Sequence, residues 1–212
     1  MKKGYIVNEL IYKEGIFPSN KREELLTRVA ASVSEYRYKH ILGVEQAARK
    51  LALRFNEDEE LASIAALVHD YAKERSDADF KQVIMANGLD QDLLNWNNFI
   101  WHGVVGAEII KAELNINDER VLNAVRKHTV GAAVMTTLDK IIYVADFIEA
   151  GRDFPGVELA RKLAEKDLDL VVAYETKHTL EYLLAQNKTI YPAAILTYNA
   201  YVAGKNMEDF NG

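Results

Sequence analysis

A histidine and an aspartate stand side by side at the end of an almost entirely apolar segment of this sequence. From Leu61 to Val68 the chain reads LASIAALV, in which only Ser63 is polar, and His69 and Asp70 follow directly. A helix that is apolar on all sides is expected to be buried, and a buried charge is costly unless it is paired or bound to a metal. The pair therefore marks a candidate chemical site.

Three other histidines and one other aspartate are predicted to point inward from further helices. His40, His102, His128 and Asp146 each share a helical face with apolar residues at a spacing of three or four. Neutral imidazole and carboxylate are ligands of iron, manganese, zinc and cobalt, and metal coordination is one of the few ways to bury such a cluster. The alternative, a set of core histidines bonded to carbonyls and carboxylates, requires five helices to place such groups inward independently. We therefore predict a metal site.

Basic side chains near these groups are suited to binding phosphate. Lys73 lies one helical turn after the HD pair, where it could hold a phosphate or could equally be a solvated lysine at a helix C-terminus. Arg152, in the loop GRDFPG, could grip a phosphate with two N–H groups, which we favour over a salt bridge to Asp153. Arg37 supports the same interpretation more weakly.

A short stretch near the C-terminal end, KTIYPAAILTYN, is a candidate surface for a nucleobase. Ile190, Tyr191 and Pro192 offer flat apolar groups to a purine ring. The start of a core-packing helix explains the same residues as well, so both interpretations stay open. The fifth histidine, His178, lies among charged residues and is expected at the surface.

The spacing of apolar residues predicts the helices that would position these groups. Helices are expected over residues 20–31, 35–54, 57–73, 76–87, 90–95, 102–114, 117–128, 136–149, 156–185 and 190–204. Asn20, Asn56 and Thr136, each followed three residues later by an acid, are predicted to open capping boxes. No strand-like alternation persists. We predict a single all-α bundle, with an N-terminal segment over 1–19 and the functional domain over 20–205.

Composition excludes several classes of function. The 212 residues are 49% hydrophobic and carry a net charge of -6, which argues against a nucleic-acid duplex as partner but leaves room for a small polyphosphate held locally. No cysteine occurs, so thiolate catalysis, disulfides and sulfur-ligated zinc are excluded. Residues 1–15 have no sustained apolar core and no run is long enough to span a membrane, so we expect a cytoplasmic protein without a membrane partner.

The order of the motifs resembles that of a known enzyme superfamily. The pattern H…HD…D, here His40, His69–Asp70 and Asp146, is similar to that of HD-domain metal-dependent phosphohydrolases. The segments RYKHILGVEQAARKLA, HDYAKE, WHGVVGAEII, VRKHTVG and ADFIEAGRDFPGV together resemble the YqeK-like family. This resemblance implies symmetrical hydrolysis of diadenosine tetraphosphate to two ADP. It also implies a divalent transition metal, with iron expected and manganese, cobalt or zinc as alternatives.

The resemblance also assigns roles to individual residues. The implied metal ligands are His40, His69, Asp70 and Asp146, and the implied catalytic groups are Asp70, Lys73, His102 and His128. The substrate contacts are expected from the side chains around them: His40, Lys73, His102, His128, Asp146, Arg152, Ile190, Tyr191 and Pro192. His102 and His128 could instead complete a second metal site bridged by Asp70, although we lean towards one firmly bound metal.

Two other classes of function remain as alternatives. One is a different HD-type nucleotide phosphohydrolase, such as a nucleotidase or a deoxynucleotide triphosphatase. The sequence shows no long insertion that would favour such an enzyme. The other is a non-catalytic nucleotide-binding module, against which the intact ligand set argues. The expected partner is in each case a small molecule, a dinucleoside polyphosphate or a nucleotide. Whether the chain forms a homodimer stays open.

Overall fold

The computed structural model describes residues 10, 12, 13 and 15–205, and in this part of the chain the fold is entirely helical, as predicted. A 3-10 helix spans Gln91–Asn95. The α-helices are α1 (Arg22–Ser32), α2 (Glu35–Arg54), α3 (Glu59–Val68), α4 (Asp77–Ala86), α5 (Asn98–Val104), α6 (Gly106–Leu114), α7 (Glu119–Lys127), α8 (Thr137–Ile148), α9 (Val157–Ala164), α10 (Leu168–Ala185) and α11 (Pro192–Tyr201). None of these helices is both long enough and apolar enough to cross a membrane.

The apolar helix α3 lies at the centre of the bundle. It packs against α2, α7 and α8, and all of its residues from Glu60 to Val68 are buried. The one polar residue within the apolar run, Ser63, donates a hydrogen bond to the buried carboxylate of Glu45 in α2 (2.6 Å). Burial on every side explains why this helix lacks a polar face. Its C-terminal end delivers the HD pair to the interior.

Three of the predicted helices end early or are divided in the structure, and the bounds of the others agree within three residues. The helix expected over 57–73 ends at Val68 and gives way to turns, the one expected over 102–114 is divided at Val105, and the one expected over 156–185 is divided between α9 and α10. A side-chain cap explains the last of these differences, because Asp167 accepts from the amide of residue 170 and begins α10. Asn97 accepts from the amide of residue 99 and begins α5 at Asn98, four residues before the predicted start. These caps begin new helices within a continuing apolar pattern.

The predicted capping box at Thr136 is confirmed, whereas those at Asn20 and Asn56 are wrong. The Thr136 hydroxyl accepts from the amide of Asp139 (3.2 Å), whose carboxylate accepts from the Thr136 amide (2.8 Å). Helix α3 is capped instead by Asp58, and α1 begins without a side-chain cap. Both asparagines adopt left-handed backbone conformations, with φ of +55° and +54°, which asparagine tolerates better than most residues.

Most of the predicted N-terminal segment, 1–19, lies outside the described residues. Within its described part, Tyr12 and Phe17 are buried in the hydrophobic core. The Tyr12 hydroxyl lies 3.0 Å from the hydroxyl of Ser63 in α3. This part of the segment therefore packs onto the central helix.

Candidate active site

The four residues predicted as metal ligands converge on one point of the interior. Nε2 of His40 lies 3.1 Å from Oδ1 of Asp146 and 3.7 Å from Oδ2 of Asp70. Nε2 of His69 lies 3.4 Å from the same Asp70 oxygen. One ligand atom from each of His40, His69 and Asp146 lies within 4.8 Å of the others. Helices α2 and α8 and the end of α3 thus bring side chains from three distant parts of the sequence together.

Backbone carbonyls hold three of the four clustered imidazoles in place. Nδ1 of His69 and Nδ1 of His128 each lie 2.7 Å from the carbonyl oxygen three residues earlier, and Nδ1 of His102 lies 2.6 Å from the one four residues earlier. A carbonyl can only accept, so each Nδ1 carries the proton. The unprotonated Nε2 atoms then face the centre of the cluster, as metal ligands require.

Several buried acceptors at this centre have no hydrogen-bond partner. They are Nε2 of His40, Nε2 of His69 and Oδ1 of Asp70. His69 is fully buried and Asp70 is 2% exposed, and leaving such acceptors unsatisfied carries a substantial energetic penalty. A divalent cation would satisfy them, and imidazole nitrogens with carboxylate oxygens suit iron, manganese, cobalt or zinc. The side chains present therefore fit a transition metal.

His102 and His128 form a second group beside the first. Their Nε2 atoms lie 3.1 Å apart, and the Thr129 hydroxyl lies 3.0 and 3.1 Å from them. Nζ of Lys73 is 3.1 Å from Nε2 of His102, while Oδ1 of Asp70 is 3.5 and 3.8 Å from the two imidazoles. Two facing imidazole acceptors need a donor or a cation between them. This group could therefore bind a phosphate through shared protons or hold a second metal.

Two glycines allow the helices around this second group to approach closely. A Cβ atom at Gly103 would lie 3.1 Å from the carbonyl oxygen of Val125 and 3.3 Å from the His128 ring. A Cβ atom at Gly106 would lie 3.2 Å from the side chain of Ala72. Larger residues at these positions would separate α5 from α7 and α6 from the turn after the HD pair.

Two arginines pair with the carboxylates of the cluster. Nη1 of Arg37 lies 2.8 Å from Oδ2 of Asp70. Arg152 pairs with the Asp146 carboxylate and also donates from Nε to the Asp146 backbone carbonyl (2.8 Å), rather than pairing with Asp153. The side chains of Asp146 and Arg152 are 23% and 37% exposed, whereas that of His69 is inaccessible. The cluster therefore opens to solvent on the side of α8 and the loop that follows it.

Both carboxylates of the cluster are held in the ionised form. Burial by itself raises the pKa of Asp70, but its neighbours, the ammonium group of Lys73 among them, hold that pKa well below its usual range. Burial also acts to raise the pKa of Asp146, and its neighbours, the guanidinium of Arg152 among them, lower it overall. Ionised carboxylates are the form that binds a metal.

The imidazoles of the second group are held neutral. Burial lowers the pKa of His128 to about 4. Burial, followed by the charge of Lys73, lowers the pKa of His102 well below its usual value. The Lys73 pKa is also lowered, chiefly by burial. The interpretation of Lys73 as a solvated lysine is therefore wrong, because its ammonium group faces the interior.

The predicted nucleobase surface lies beside the site rather than within the cluster. The Tyr191 ring packs against Trp96, with 4.8 Å between ring centroids, and Pro192 is the first residue of α11. Thr197, one turn further along α11, donates to the carbonyl of Val130 (2.8 Å), two residues after His128. Helix α11 is thus anchored to the segment that follows the second histidine group.

The expectation that His178 lies at the surface among charges is wrong. Its ring is half-buried between those of Phe147, Phe154 and Tyr174, at centroid distances of 5.7, 5.4 and 6.1 Å. Phe147 comes from α8, Phe154 from the loop that follows α8, and Tyr174 from the same helix as His178. The charged neighbours of His178 in the sequence point in other directions around the helix.

Two polar residues that the sequence analysis did not single out also join the site. Thr129 contacts both histidines of the second group. The buried Glu149 lies with Oε1 3.2 Å from Nδ1 of His40. For both residues the signal in the sequence was closeness to a predicted site residue, because Thr129 follows His128 directly and Glu149 stands three residues after Asp146.

Comparisons with known proteins agree with this architecture. The HD domain family model matches residues 37–151. The symmetrical bis(5'-nucleosyl)-tetraphosphatase of Bacillus subtilis strain 168 is 44% identical, over 86% of this chain and 98% of that protein. The enzyme of the same name from Halalkalibacterium halodurans is 39% identical, over 84% and 95%. The chain therefore belongs to the HD-domain family, in its YqeK-like branch.

A solved structure is similar across nearly the whole fold. It is the crystal structure of a predicted HD superfamily hydrolase involved in NAD metabolism from Clostridium acetobutylicum. The TM-score is 0.81 at 35% sequence identity, and the match covers 86% of this chain and 97% of that one. The helical arrangement that brings the cluster together is thus shared with an experimentally determined relative.

Proposed function

We propose that this protein hydrolyses diadenosine tetraphosphate symmetrically, to two ADP, at a metal bound by His40, His69, Asp70 and Asp146. The observation that carries the proposal is the convergence of these four side chains, linked by contacts of 3.1 to 3.7 Å, with buried acceptors that have no hydrogen-bond partner. The names of the relatives supply the substrate, and iron is the metal we propose. Hydrolysis of another nucleotide remains the alternative to be tested beside it.

The basic residues of the site suit the negative charge of a tetraphosphate. A divalent cation bound at such a ligand set polarises a phosphoryl oxygen and lowers the pKa of water. Arg152 stands at the exposed edge of the cluster and Lys73 beside the second histidine group, so the two cations can bind neighbouring phosphates. Arg37, already beside Asp70, adds a third positive charge on the same side.

His102 and His128 are proposed to contact the phosphates through a proton that they take up with the substrate. In the free protein their Nε2 atoms accept, and phosphate oxygens also accept, so a bound phosphate requires a proton between them. The negative charge of the substrate raises the pKa of both imidazoles and favours this uptake. The Thr129 hydroxyl can donate the remaining hydrogen bond. The same proton is then available to the departing phosphate oxygen.

The position of cleavage follows from where the phosphates are held. If Arg152 and Lys73 bind the two phosphates nearest one adenosine, the second phosphorus lies beside the metal ligands. Attack there breaks the bond between the two central phosphates, and ADP leaves. Attack one phosphorus nearer to the adenosine would release AMP and ATP instead.

Product analysis in oxygen-18 water tests the proposal. We expect nucleotide chromatography to give ADP as the only primary product, with one solvent oxygen on the β-phosphate of one ADP in each pair. AMP and ATP would refute symmetrical cleavage, and release of tripolyphosphate from a nucleoside triphosphate would favour a triphosphatase. No hydrolysis with iron, manganese, cobalt or zinc would favour a nucleotide-binding module. Asp70→Asn serves as the inactive control.

A further inference from the structure

We infer that Glu149 is a positioning residue that fixes the tautomer of His40 and strengthens it as a metal ligand. Oε1 of Glu149 lies 3.2 Å from Nδ1 of His40, and both side chains are 7% exposed. Glu149 stands on the Nδ1 side of the imidazole, away from the Nε2 atom that faces Asp70 and Asp146, and its Oε1 also lies 4.0 Å from Nε of Arg152. The inference rests on the ligand set proposed above.

His40 differs in this respect from the other three histidines of the cluster. Their Nδ1 atoms donate to backbone carbonyls, whereas Nδ1 of His40 faces an acid. A carboxylate accepts this proton more strongly than a carbonyl and makes the opposite nitrogen a better donor to a metal. Nε2 of His40 is the nitrogen that faces Asp70 and Asp146. Glu149 therefore acts through His40 on the metal site.

The surroundings of Glu149 hold its carboxylate in this position. Its Oε2 accepts from the amide of Gly151 (2.5 Å) in the loop after α8. On the other side, helix α2 passes so closely that a Cβ atom at Gly43 would lie 2.5 Å from the same oxygen. Glycine at this position leaves space for the acid without breaking α2. Backbone contacts from two elements thus fix the carboxylate against the imidazole.

Metal affinity of Glu149→Gln is the direct test, because it needs no substrate. The glutamine keeps the size of the side chain and removes its charge. We expect cobalt(II) binding, measured by competition with a chromophoric chelator, to weaken about 10- to 100-fold relative to the unaltered protein. Thermal unfolding of the same samples shows how much of the protein is folded. The variant Gly43→Ala retains Glu149 but displaces its carboxylate, so it should weaken cobalt binding in the same direction.

Glu45→Gln is the matched control. Glu45 is also a buried carboxylate, on α2 itself, and it accepts from Arg22 (2.7 Å) and Ser63 (2.6 Å) rather than from a histidine. Its loss should lower thermal stability and leave cobalt affinity unchanged. Nitrogen-15 spectra of the metal-free protein give a second measurement. They should show the His40 proton on Nδ1 in the unaltered protein and divided between the two nitrogens in Glu149→Ala.

The outcomes separate this inference from the proposed ligand set. If His40→Ala weakens cobalt binding but Glu149→Gln and Gly43→Ala bind as tightly as the unaltered protein, Glu149 has no positioning role and the inference is overturned. If His40→Ala leaves cobalt binding unchanged, the ligand set itself is wrong. Equal weakening in Glu45→Gln and Glu149→Gln would mean that both act only through stability, which would also overturn the inference.

Discussion

At the scale of single residues, Asp70 connects the two halves of the site. Its Oδ2 atom lies 3.4 and 3.7 Å from the imidazoles of His69 and His40. Its Oδ1 atom lies 3.5 and 3.8 Å from those of His102 and His128. Because one carboxylate faces both groups, a metal on the first group would, as proposed above, also position a phosphate on the second. This is why we chose Asp70→Asn as the inactive control.

Arg152→Ala should weaken binding of the transition state more than the loss of any single neutral contact would. A charge-assisted contact to phosphate contributes about 2–4 kcal/mol, so kcat/KM for diadenosine tetraphosphate should fall roughly 30- to 1000-fold. Arg152→Lys should recover only part of this loss, because lysine lacks the two-pronged geometry. Steady-state kinetics measures both. Arg49→Ala is the control, because it removes an ion pair between α2 and Glu59 of α3. Equal kcat/KM values in Arg49→Ala and Arg152→Ala would contradict the assignment.

Acid should destabilise the metal-free protein through the second histidine group. Burial lowers the pKa of His128 to about 4, so the unfolded chain takes up a proton near pH 6.5 that the folded protein does not yet bind. Stability should therefore fall as pH decreases from 6.5 towards 4, by at most about 3 kcal/mol for this group. His128→Gln should lose less unfolding free energy between pH 7 and 4.5, measured with urea.

Other shifted pKa values in the site bear on that experiment. The lowered pKa of His102 acts in the same direction, so some pH dependence should remain in the variant. The lowered pKa values of Asp70 and Asp146 remove stability only as pH falls below the ordinary carboxyl range, outside the measured window. His178→Asn, outside the cluster, is the control. An unchanged pH dependence in His128→Gln would show that His128 is not held neutral by the fold.

At the scale of elements, the ends of helices orient the chemistry. His69 follows α3 directly and His128 follows α7 directly. The last carbonyls of a helix have no intrahelical partner, and here they accept from the Nδ1 atoms of these imidazoles. The two helix ends thereby satisfy their own carbonyls and aim two Nε2 atoms into the interior. Close packing of α5 against α7 adds a third Nε2 atom, that of His102.

Gly103→Ala tests whether that packing is needed. Alanine normally stabilises a helix relative to glycine, but here its Cβ would lie 3.1 Å from the backbone oxygen of Val125. We expect the free energy of unfolding to fall by about 1–3 kcal/mol, and kcat/KM to fall in the folded protein as His102 moves away from His128. Urea unfolding and steady-state kinetics measure the two effects. Lys111→Ala, on the exposed face of α6, should change neither, and a stabilised, fully active Gly103→Ala would contradict the prediction.

At the scale of the whole molecule, a metal would couple the site to the stability of the bundle. The proposed ligands come from α2, α8 and the end of α3, all of which pack against one another in the core. At a free metal concentration 100 times its dissociation constant, binding would add about 2.7 kcal/mol to the free energy of unfolding. We expect a chelator to lower Tm in scanning calorimetry and added iron(II) or cobalt(II) to restore it. Asp70→Asn should show the same Tm with and without metal, and a metal-dependent shift of equal size in that variant would contradict the ligand set.

The sequence by itself determined the class of fold and most members of the site. Apolar periodicity does not depend on the final packing, so helices such as α2 could be predicted with their observed bounds, 35–54. The divisions at Val105 and between α9 and α10 escaped prediction because the apolar pattern continues across them. Ordered motifs likewise identified His40, the HD pair and Asp146 before any distance was known.

Only the tertiary structure decided how these residues act on one another. That Arg152 pairs with Asp146, that Lys73 faces inward and that Glu149 supports His40 depends on contacts between elements. The burial of His178 was decided in the same way, by contacts such as that with the ring of Phe154 in the loop after α8. Helical phase specifies which face a side chain is on, but the partner on that face comes from another part of the chain. Burial, which sets the pKa of His128, is likewise a property of the assembled bundle.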